Sequence, residues 1–340
     1  MGVWLHVALP IIQAPMAGVQ GSALAAAVCE AGGLGSLPCA LLTLEDMRRE
    51  LSSLAARTSG PYNVNFFCHT MPAIDEARES AWRHLLAPYY DELGVTQTPA
   101  PPAARLPFNA EAAQLLQTLR PAFVSFHFGL PEPALLALVK ASGATVLSSA
   151  TTVDEAKWLE KNGADAIIAQ GVDAGGHRGH FLAGAETMQR TTLELLPEVV
   201  RAVSVPVIAA GGIADAAGVR EVLALGAIAA QIGTAYLLCP EATTSPVHRA
   251  ELSGPGAADT VITNLFTGRP ARGIVNRLIR DLGAVRDDVP AFPRAAAALA
   301  PLRAEAEAAG RGDFSGMWAG RNAARCRAMP AAELTRQLAG

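Results

Sequence analysis

Residues 163–181, GADAIIAQGVDAGGHRGHF, join an apolar segment to a polar, glycine-rich loop. The apolar run Ala166 to Ala169 has the length of a buried strand. The loop after it contains four glycines and two histidines: Gly171, Gly175, Gly176, Gly179, His177 and His180. Barrel and doubly wound α/β folds place their chemistry where a buried strand ends in such a loop. The glycines let the backbone approach a ligand closely, and the histidines can exchange a proton near neutral pH.

Seven further apolar segments of strand length lie on either side of this one. They are Ile11 to Ala14, Leu34 to Leu37, Asn63 to Phe67, Phe123 to Phe128, Thr145 to Ser149, Val207 to Ala210 and Ala229 to Ile232. Helical patterns separate most of them, including Val153 to Asn162, for which Thr152 and Glu155 predict a capping box. Eight strands that alternate with helices predict an α/β fold, the parallel (β/α)8 TIM barrel.

The alternation ends at Pro240. Residues 240–312 contain no clear βα unit and include an alanine-rich helix, Pro293 to Ala309. We therefore expect residues 1–239 to form the barrel, residues 240–312 an inserted, smaller and mainly helical domain, and residues 313–340 a C-terminal helix that returns to the barrel. Residues 69–107, with a helix over Ile74 to Leu93 and a proline-rich turn at Pro99 to Pro102, are expected to extend over one barrel face as a lid.

The composition argues against several classes of partner. The chain has 340 residues and a net charge of −4, with no block of lysines or arginines, so neither a nucleic acid nor a membrane surface is indicated. The longest uncharged run, Leu223 to Pro240, contains Gln231 and Thr234 and predicts a helix end and a buried strand. No signal peptide is recognisable at the N-terminus. The pattern indicates no oligomeric state.

The five cysteines are far apart and form no CxxC pair. This spacing favours neither a disulfide framework nor a zinc site, and it predicts reduced thiols in a cytoplasmic protein. No cluster of histidine, aspartate and glutamate has the spacing of metal ligands, so we expect no metal.

Two glycine-containing turns follow the seventh and eighth predicted strands. Residues 208–213 are IAAGGI, and residues 231–234 are QIGT. Barrel enzymes bind phosphate with the loops after these two strands, whose backbone N–H groups point at the anion. The two turns therefore predict a phosphate site, with tight turns alone as the alternative. The dinucleotide fingerprint GxGxxG is absent, because PMAGVQG near the N-terminus does not keep its spacing.

Five segments, taken in order, resemble the nitronate monooxygenases, formerly called 2-nitropropane dioxygenases, and in particular the bacterial class I members: IIQAPMAG, NVNFF, AQGVDAGGHRG, IAAGGI and QIGT. The resemblance covers most of the chain, including the later segments TGRPARGIVN and WAG. It implies an FMN-dependent barrel with an inserted second domain. It also implies the oxidation of alkyl nitronates, such as propionate 3-nitronate, with O2 to a carbonyl compound and nitrite or nitrate through a flavin semiquinone.

The resemblance assigns FMN binding to eight residues: Asn65, Gln170, Gly175, Gly212, Gln231, Ile232, Gly233 and Thr234. Asn65 and Gln170 stand at the ends of predicted strands, where their amides can meet the edge of the flavin ring. Gly212, Gly233 and Thr234 would contact the phosphate.

The resemblance also makes His177 the catalytic histidine. A nitronate is an anion, which a partly protonated imidazole can bind, and an imidazole can also remove a proton from a neutral nitroalkane. A solvated loop histidine is the alternative. His127 and Ser149 are weaker candidates for substrate contact, with core packing and capping as their alternatives. Arg178 could attract anions, but we expect it to be solvated. Trp318, in the WAG segment, could close the pocket, but we expect it to serve in ordinary packing.

Two other functions remain compatible with the same segments. An FMN-dependent reductase that uses NAD(P)H, acting on a quinone or an enoyl thioester, would share the barrel and the phosphate site. A flavin-free isomerase or lyase would account for the two glycine turns but not for Asn65 and Gln170. Reduction by NAD(P)H distinguishes the first rival, and a colourless purified protein would favour the second.

Overall fold

Among the residues that the structure describes, nine strands precede residue 240, and eight of them form one parallel sheet. In chain order the strands are β1 (Ile11–Gln13), β2 (Gly35–Pro38), β3 (Tyr62–Phe67), β4 (Phe123–His127), β5 (Thr145–Ala150), β6 (Ala166–Gln170), β7 (Gly176–His177), β8 (Val207–Ala210) and β9 (Ala229–Ile232). All except β7 lie in the sheet, in the order β1-β9-β8-β6-β5-β4-β3-β2. The computed structural model describes residues 4–96, 105–184, 187 and 190–340, so the turn expected at Pro99 to Pro102 lies outside the described residues.

The two ends of this sheet meet. Ile12 forms a parallel bridge with Leu34, which directly precedes β2. The Leu34 amide donates to the Ile11 carbonyl at 2.9 Å, and the Gln13 amide donates to the Leu34 carbonyl at 3.0 Å. These bonds connect the first strand to the second and close the barrel. The predicted (β/α)8 barrel is thus confirmed.

Eight described α-helices precede residue 240, and most of them begin at a capping side chain. They are α1 (Ser22–Glu30), α2 (Leu44–Arg57), α3 (Glu76–Leu93), α4 (Ala110–Leu119), α5 (Pro133–Ala141), α6 (Val153–Lys161), α7 (Thr192–Ala202) and α8 (Ala216–Ala224), of which α3 lies outside the barrel. Thr43, Asn109, Thr152, Thr191 and Asp215 each accept a hydrogen bond from a backbone N–H in the first turn. Such caps satisfy N–H groups that the helix leaves unpaired.

The capping box predicted for α6 is half formed. The Thr152 hydroxyl accepts from the Glu155 amide at 3.1 Å, as expected. The Glu155 carboxylate, however, accepts from the amide and hydroxyl of Thr151, both at 2.7 Å, and from the amide of Leu182 at 3.1 Å. Glu155 is fully buried, so this carboxylate ties α6 to the loop that follows β7.

Side chains of the strands alternate between two apolar layers. Ile11 packs outward with Leu24 and Val28 of α1, whereas the neighbouring Ile12 belongs to an inner cluster with Leu147 and Ile208. This alternation is the period of a β-strand. Burying each of these large aliphatic side chains stabilises the fold by about 1.5–3 kcal/mol.

A smaller unit follows the barrel strands. After α9 (Pro246–Ser253), it contains β10 (Thr260–Thr263), β11 (Ala271–Ile274), α10 (Arg277–Leu282) and α11 (Ala295–Ala308). Strand β11 pairs antiparallel with β10 on one side and with β7 on the other. The expected mainly helical domain therefore includes a small sheet, whose third strand, β7, comes from the glycine loop of the barrel.

Helix α3 packs against this smaller unit and not across the barrel. Trp82 and Leu86 share a buried cluster with Leu299 and Leu302 of α11, and the Trp82 indole N–H donates to the Ala295 carbonyl at 3.2 Å. The apolar face of α3 thus meets the apolar face of α11, so this helix packs with the smaller unit. We propose that the second domain comprises α3 together with residues 260–314.

The C-terminal helix is shorter than the expected one. It is α12 (Ala331–Ala339), and its residues Ala331, Leu334 and Leu338 pack in the outer barrel cluster. The preceding segment contains glycines and Pro330, which oppose a continuous helix. That segment runs along the barrel mouth instead. No described helix combines the length and the apolar character that crossing a membrane requires.

Candidate active site

A cleft lies at the carboxyl ends of the barrel strands. Parallel strands of a barrel all end on one face, so loops that are distant in sequence meet there. All eleven residues predicted for the site line this cleft: Asn65, His127, Ser149, Gln170, Gly175, His177, Gly212, Gln231, Ile232, Gly233 and Thr234. The structure therefore brings the whole predicted set together.

One part of the cleft, which we call the glycine end, is formed by Gly211, Gly212, Gly233 and Thr234. Gly211 and Gly212 have φ values of +120° and +69°, which favour glycine. A Cβ on Gly212 would stand 3.0 Å from the Cβ of Asp173, so there is little space for a side chain. The Thr234 hydroxyl accepts from the Gly320 amide at 3.0 Å. Backbone therefore dominates this surface.

The segment before α12 closes the glycine end from outside. A Cβ on Gly175 would lie 2.6 Å from the Gly320 nitrogen, which only a glycine can avoid. The Arg321 amide donates to the Asp173 carbonyl at 3.0 Å, and the Asn322 side chain donates to the Gly212 carbonyl. Asn322 also lines the cleft, and sequence reasoning did not identify it.

The other part of the cleft, which we call the histidine end, includes His177, His127, Arg105 and Trp318. The backbone of His177 is fixed because β7 pairs with β11, opposite Ala271. Its ring Nε2 lies 2.9 Å from the Thr267 hydroxyl, and its ring centroid lies 5.3 Å from those of Phe292 and Trp318. Trp318 therefore borders the site itself.

His177 is held neutral by its surroundings. Burial, and then the charge of Arg105, lower the pKa of its imidazole well below the ordinary value. His127, Arg269 and His69 act in the same direction. A neutral ring can accept a proton but does not supply a positive charge. Of the two roles predicted for His177, the geometry therefore favours the base over the cationic anion binder.

His127 supports the loop that carries His177. Its Nε2 lies 3.2 Å from the His177 carbonyl, and its Nδ1 lies 3.0 Å from the Ser149 hydroxyl. A carbonyl only accepts, so Nε2 carries the proton and Nδ1 accepts from Ser149. Burial lowers the pKa of His127 to about 3, which keeps this ring neutral. Both nitrogens are occupied by protein groups.

The amide of Gln170 is likewise used to hold this loop. Its Nε2 donates to the His177 carbonyl at 3.0 Å, and its Oε1 accepts from the Gly179 amide at 2.8 Å. Arg178 donates to the Gln170 and Gly171 carbonyls at 3.0 and 2.7 Å. Arg178 is only 2% exposed, so the expectation that it is solvated was wrong. Burial lowers its pKa to about 10.

Two further amides face the cleft from β3 and β9. Asn65 donates to the hydroxyl and the carbonyl of Ser125 at 3.0 and 3.2 Å. Asn63, two residues earlier, is fully buried and bonds to Ser36 and Ser125 inside the barrel. Gln231 has a buried Oε1 with no hydrogen-bond partner. Since buried polar atoms are normally paired, this oxygen indicates a missing donor in the cleft.

Sequence reasoning missed Arg105 and Thr267. Arg105 falls in the stretch that was predicted to be a lid, and no local pattern distinguishes it from other arginines. Thr267 belongs to the TGRPARGIVN segment, so the resemblance covered it without giving it a role. Within the part of the chain that the structure describes, no three histidine, cysteine, aspartate or glutamate side chains are grouped so that they could hold a metal ion.

The barrel, with its site at the carboxyl ends of the strands and a half-buried histidine in that site, defines an enzyme of the (β/α)8 class. The chain belongs to the nitronate monooxygenase family, which matches residues 3–340, and it is therefore an oxidoreductase. The family resemblance expected from the five sequence segments is confirmed.

Individual relatives agree with this assignment. The chain is 43% identical to a nitronate monooxygenase of Pseudomonas aeruginosa over 98% of this chain and 96% of that protein. It is 44% identical to the Paraburkholderia phytofirmans enzyme over 97% and 91%. The structure resembles nitroalkane oxidase from Streptomyces ansochromogenes with a TM-score of 0.89 and 39% identity, covering 98% of this chain and 95% of that chain. FabK from Thermotoga maritima is similar at a TM-score of 0.72 and 27% identity, over 99% and 93%.

Proposed function

We propose that this protein is an FMN-dependent nitronate monooxygenase that oxidises small alkyl nitronates with O2. The observation that carries the proposal is the position of a half-buried His177, whose imidazole pKa is lowered well below the ordinary value, in the same cleft as the glycine turns after β8 and β9. Membership of the nitronate monooxygenase family supports the reaction. The free cysteines fit a reducing, cytoplasmic location.

The residues at the glycine end fit the phosphate of FMN. Gly212 has a positive φ, and no side chain separates its backbone from the cleft. The turn leads into α8, whose N-terminal dipole favours an anion. Gly233 and Thr234 complete the same surface, as the loops after the last two strands do in barrel phosphate sites.

The amides fit the ring of a flavin. The unpaired Gln231 Oε1 would accept an N–H, and Asn65 presents its side chain from the end of β3. The Gln170 amide already bonds to protein, so we assign it the placement of the His177 loop. Gly175 and Ile232 would contribute backbone surface. When bound, FMN would supply electron transfer between the nitronate and O2.

The protein groups then bind, orient and exclude water. Neutral His177 would remove the α-proton of a nitroalkane that arrives uncharged, whereas a nitronate needs no such step. The rings of Phe67, Phe292 and Trp318 surround His177 and keep bulk water away from it. His127 and Ser149 act through the loop backbone and not by contact with the substrate.

The test uses the purified protein loaded with FMN. We expect O2 uptake and nitrite formation with propionate 3-nitronate, and no anaerobic bleaching of the flavin absorption band by NADH. Bleaching by NADH without nitronate oxidation would instead place the protein among the NAD(P)H reductases. A protein that neither retains nor rebinds FMN would contradict both functions and favour the flavin-free barrel.

A further inference from the structure

Arg105 lies at the histidine end of the cleft, in the loop before α4, and is largely buried. No carboxylate of the described residues forms a salt bridge with it. The neighbouring residues 97–104, QTPAPPAA, contain no acidic side chain in their sequence. The guanidinium remains charged at any physiological pH. Its charge is therefore not balanced by the part of the protein that the structure describes.

The groups around His177 add no negative charge. The groups that lower its pKa are the charged Arg105 and Arg269 and the imidazoles of His127 and His69, and none of the four is acidic. Arg269 is already engaged, because its guanidinium stacks on the Phe128 ring at 4.0 Å and donates to the His180 carbonyl. An unpaired cation held partly away from water is unfavourable unless an anion joins it. Arg105 is thus the charge at this end that a ligand can neutralise.

We propose that Arg105 binds the oxygens of the nitronate anion at the histidine end of the cleft. This inference rests on the proposed function and names the residue that recognises the charged form of the substrate. The N–O groups of a nitronate lie in one plane, as do the oxygens of a carboxylate, and the fork of a guanidinium can donate to both. The site then distinguishes an ionised nitronate from a neutral nitroalkane by charge, without a protonated histidine.

The first test compares Arg105→Gln with Arg303→Gln. Arg303 lies close enough to act on the pKa of Arg105 but is itself exposed on α11, so its variant controls for the loss of one nearby charge. We expect the KM for ethylnitronate to rise about 10- to 100-fold in Arg105→Gln, as for loss of a charge-assisted hydrogen bond. The KM of Arg105→Lys should lie between those of Arg105→Gln and the unmodified protein. The KM of Arg303→Gln should be within about twofold of that of the unmodified protein. An unchanged KM in Arg105→Gln overturns the proposal.

The second test uses pH and the unmodified protein. Arg105 keeps its charge throughout, so kcat/KM for ethylnitronate should stay level from about pH 6.5 to 8.5. If a protonated His177 bound the anion instead, kcat/KM would fall about tenfold per pH unit above its pKa. The neighbouring His127 and His69 do not confuse the result, because burial lowers their pKa values to about 3 and about 4. Such a fall would overturn the proposal.

A third measurement separates this inference from the proposed function. Nitrate is a planar anion that should occupy Arg105 in the absence of turnover. At constant ionic strength, nitrate should raise the Tm of the unmodified protein and of Arg303→Gln more than that of Arg105→Gln. If the protein oxidises no nitronate, the proposed function fails, but the nitrate-induced rise in Tm still tests whether Arg105 binds an anion. Equal rises in Tm in all three proteins would contradict that role of Arg105.

Discussion

The glycine end and the histidine end of the cleft are built in different ways. The glycine end consists of two short segments, each contiguous in sequence, in which backbone forms the surface. The histidine end assembles side chains from four separate loops: Arg105, His177, Thr267 and Trp318. A surface of backbone suits a group that many enzymes share, such as a phosphate. Side chains from different loops can be exchanged one by one, which suits the part of the site that selects a substrate.

The two ends also differ in charge. Acidic side chains flank the glycine end, and each has an arginine partner: Asp173 with Arg321 at 3.3 Å and Asp215 with Arg325 at 3.1 Å. At the histidine end, the groups that act on His177 are all basic, and burial depresses their pKa values where a shift is resolved. The contrast indicates that the charges at the glycine end are paired within the protein, whereas the histidine end has a positive charge that a ligand can pair with.

The largest effect should come from His177→Asn. Asparagine preserves a polar group near Thr267 but cannot act as a base at neutral pH. We expect kcat/KM for neutral nitroethane to fall by about 10²- to 10⁴-fold, the usual contribution of a general base. The loss for ethylnitronate should be smaller, because it is already deprotonated. Oxygen uptake measures both, and an equal loss for the two substrates would show that His177 does not act as the base.

The next effect concerns the glycine end. In Gly212→Ala the new Cβ would crowd Asp173 at 3.0 Å and force alanine into a positive φ of +69°. We expect the FMN dissociation constant to rise about 10- to 100-fold. Alanine at this φ strains the backbone by about 1–2 kcal/mol, and relief of that strain would move the turn away from the phosphate. Riboflavin, which has no phosphate, should lose less affinity, as fluorescence titration would show.

Gly94→Ala is the matched control for this variant. Gly94 ends α3 with a φ of +63°, close to that of Gly212, and a Cβ there meets nothing within 4 Å. Gly94→Ala should introduce a similar backbone strain and therefore lower Tm by a similar amount. It should leave the FMN dissociation constant unchanged. If FMN and riboflavin lose affinity equally in Gly212→Ala, the turn does not hold the phosphate.

The same contrast explains how far the sequence predicts this protein. Predicted strands Val207 to Ala210 and Ala229 to Ile232 have the bounds of β8 and β9, because a buried parallel strand is a continuous apolar run. The glycine turns follow directly from those strands. The glycine end could therefore be located from local patterns alone, and the resemblance supplied the residues of the cleft that these patterns do not mark.

The histidine end could not be completed in this way. Strand β7 has only two residues, Gly176 and His177, and its pairing with β11 joins segments about a hundred positions apart. Burial of Arg178 and exposure of Arg303 are properties of packing, which the residue type does not reveal. Arg105 was missed for the same reason. Long-range contacts decide which of many arginines enters the site.

Acid should destabilise the fold through four buried or half-buried histidines, of which His127, His177 and His248 line the cleft and His69 acts on His177. Burial lowers the pKa values of His69 and His248 to about 4 and of His127 to about 3, and it depresses that of His177. The unfolded chain then binds more protons than the folded chain below about pH 6.5. Unfolding free energy should fall as pH drops from about 6.5 towards 4, by up to about 1.4 kcal/mol per pH unit for each histidine.

Urea unfolding between pH 7 and pH 4.5 measures this slope. His248→Gln removes a histidine with a lowered pKa that is not among the groups acting on His177, and it should make the slope shallower by about one proton. His84→Gln is the control, because His84 is exposed. A slope that the first substitution does not change would mean that His248 becomes protonated within the folded protein.

The smallest effect should come from Thr267→Val, which keeps the shape of the side chain and removes its hydroxyl. The hydroxyl lies 3.5 Å from the Arg269 carbonyl, which can only accept, and 2.9 Å from His177 Nε2. If the Thr267 hydroxyl donates its proton to the carbonyl, it must accept a hydrogen bond from the protonated Nε2 of His177. The basic nitrogen of His177 is then Nδ1. Loss of this bond should cost about 0.5–1.5 kcal/mol, or at most about tenfold in kcat for nitroethane.

Thr267→Ser retains the hydroxyl and is the matched control, so it should keep most of the activity. Nitrogen NMR of the imidazole distinguishes tautomer control from packing, since only the former predicts a mixture of Nδ1–H and Nε2–H forms in Thr267→Val. If valine leaves a single tautomer and lowers kcat all the same, Thr267 acts by filling space beside the ring. The histidine end would then owe the orientation of its base to the aromatic rings of Phe292 and Trp318, which contact the same imidazole.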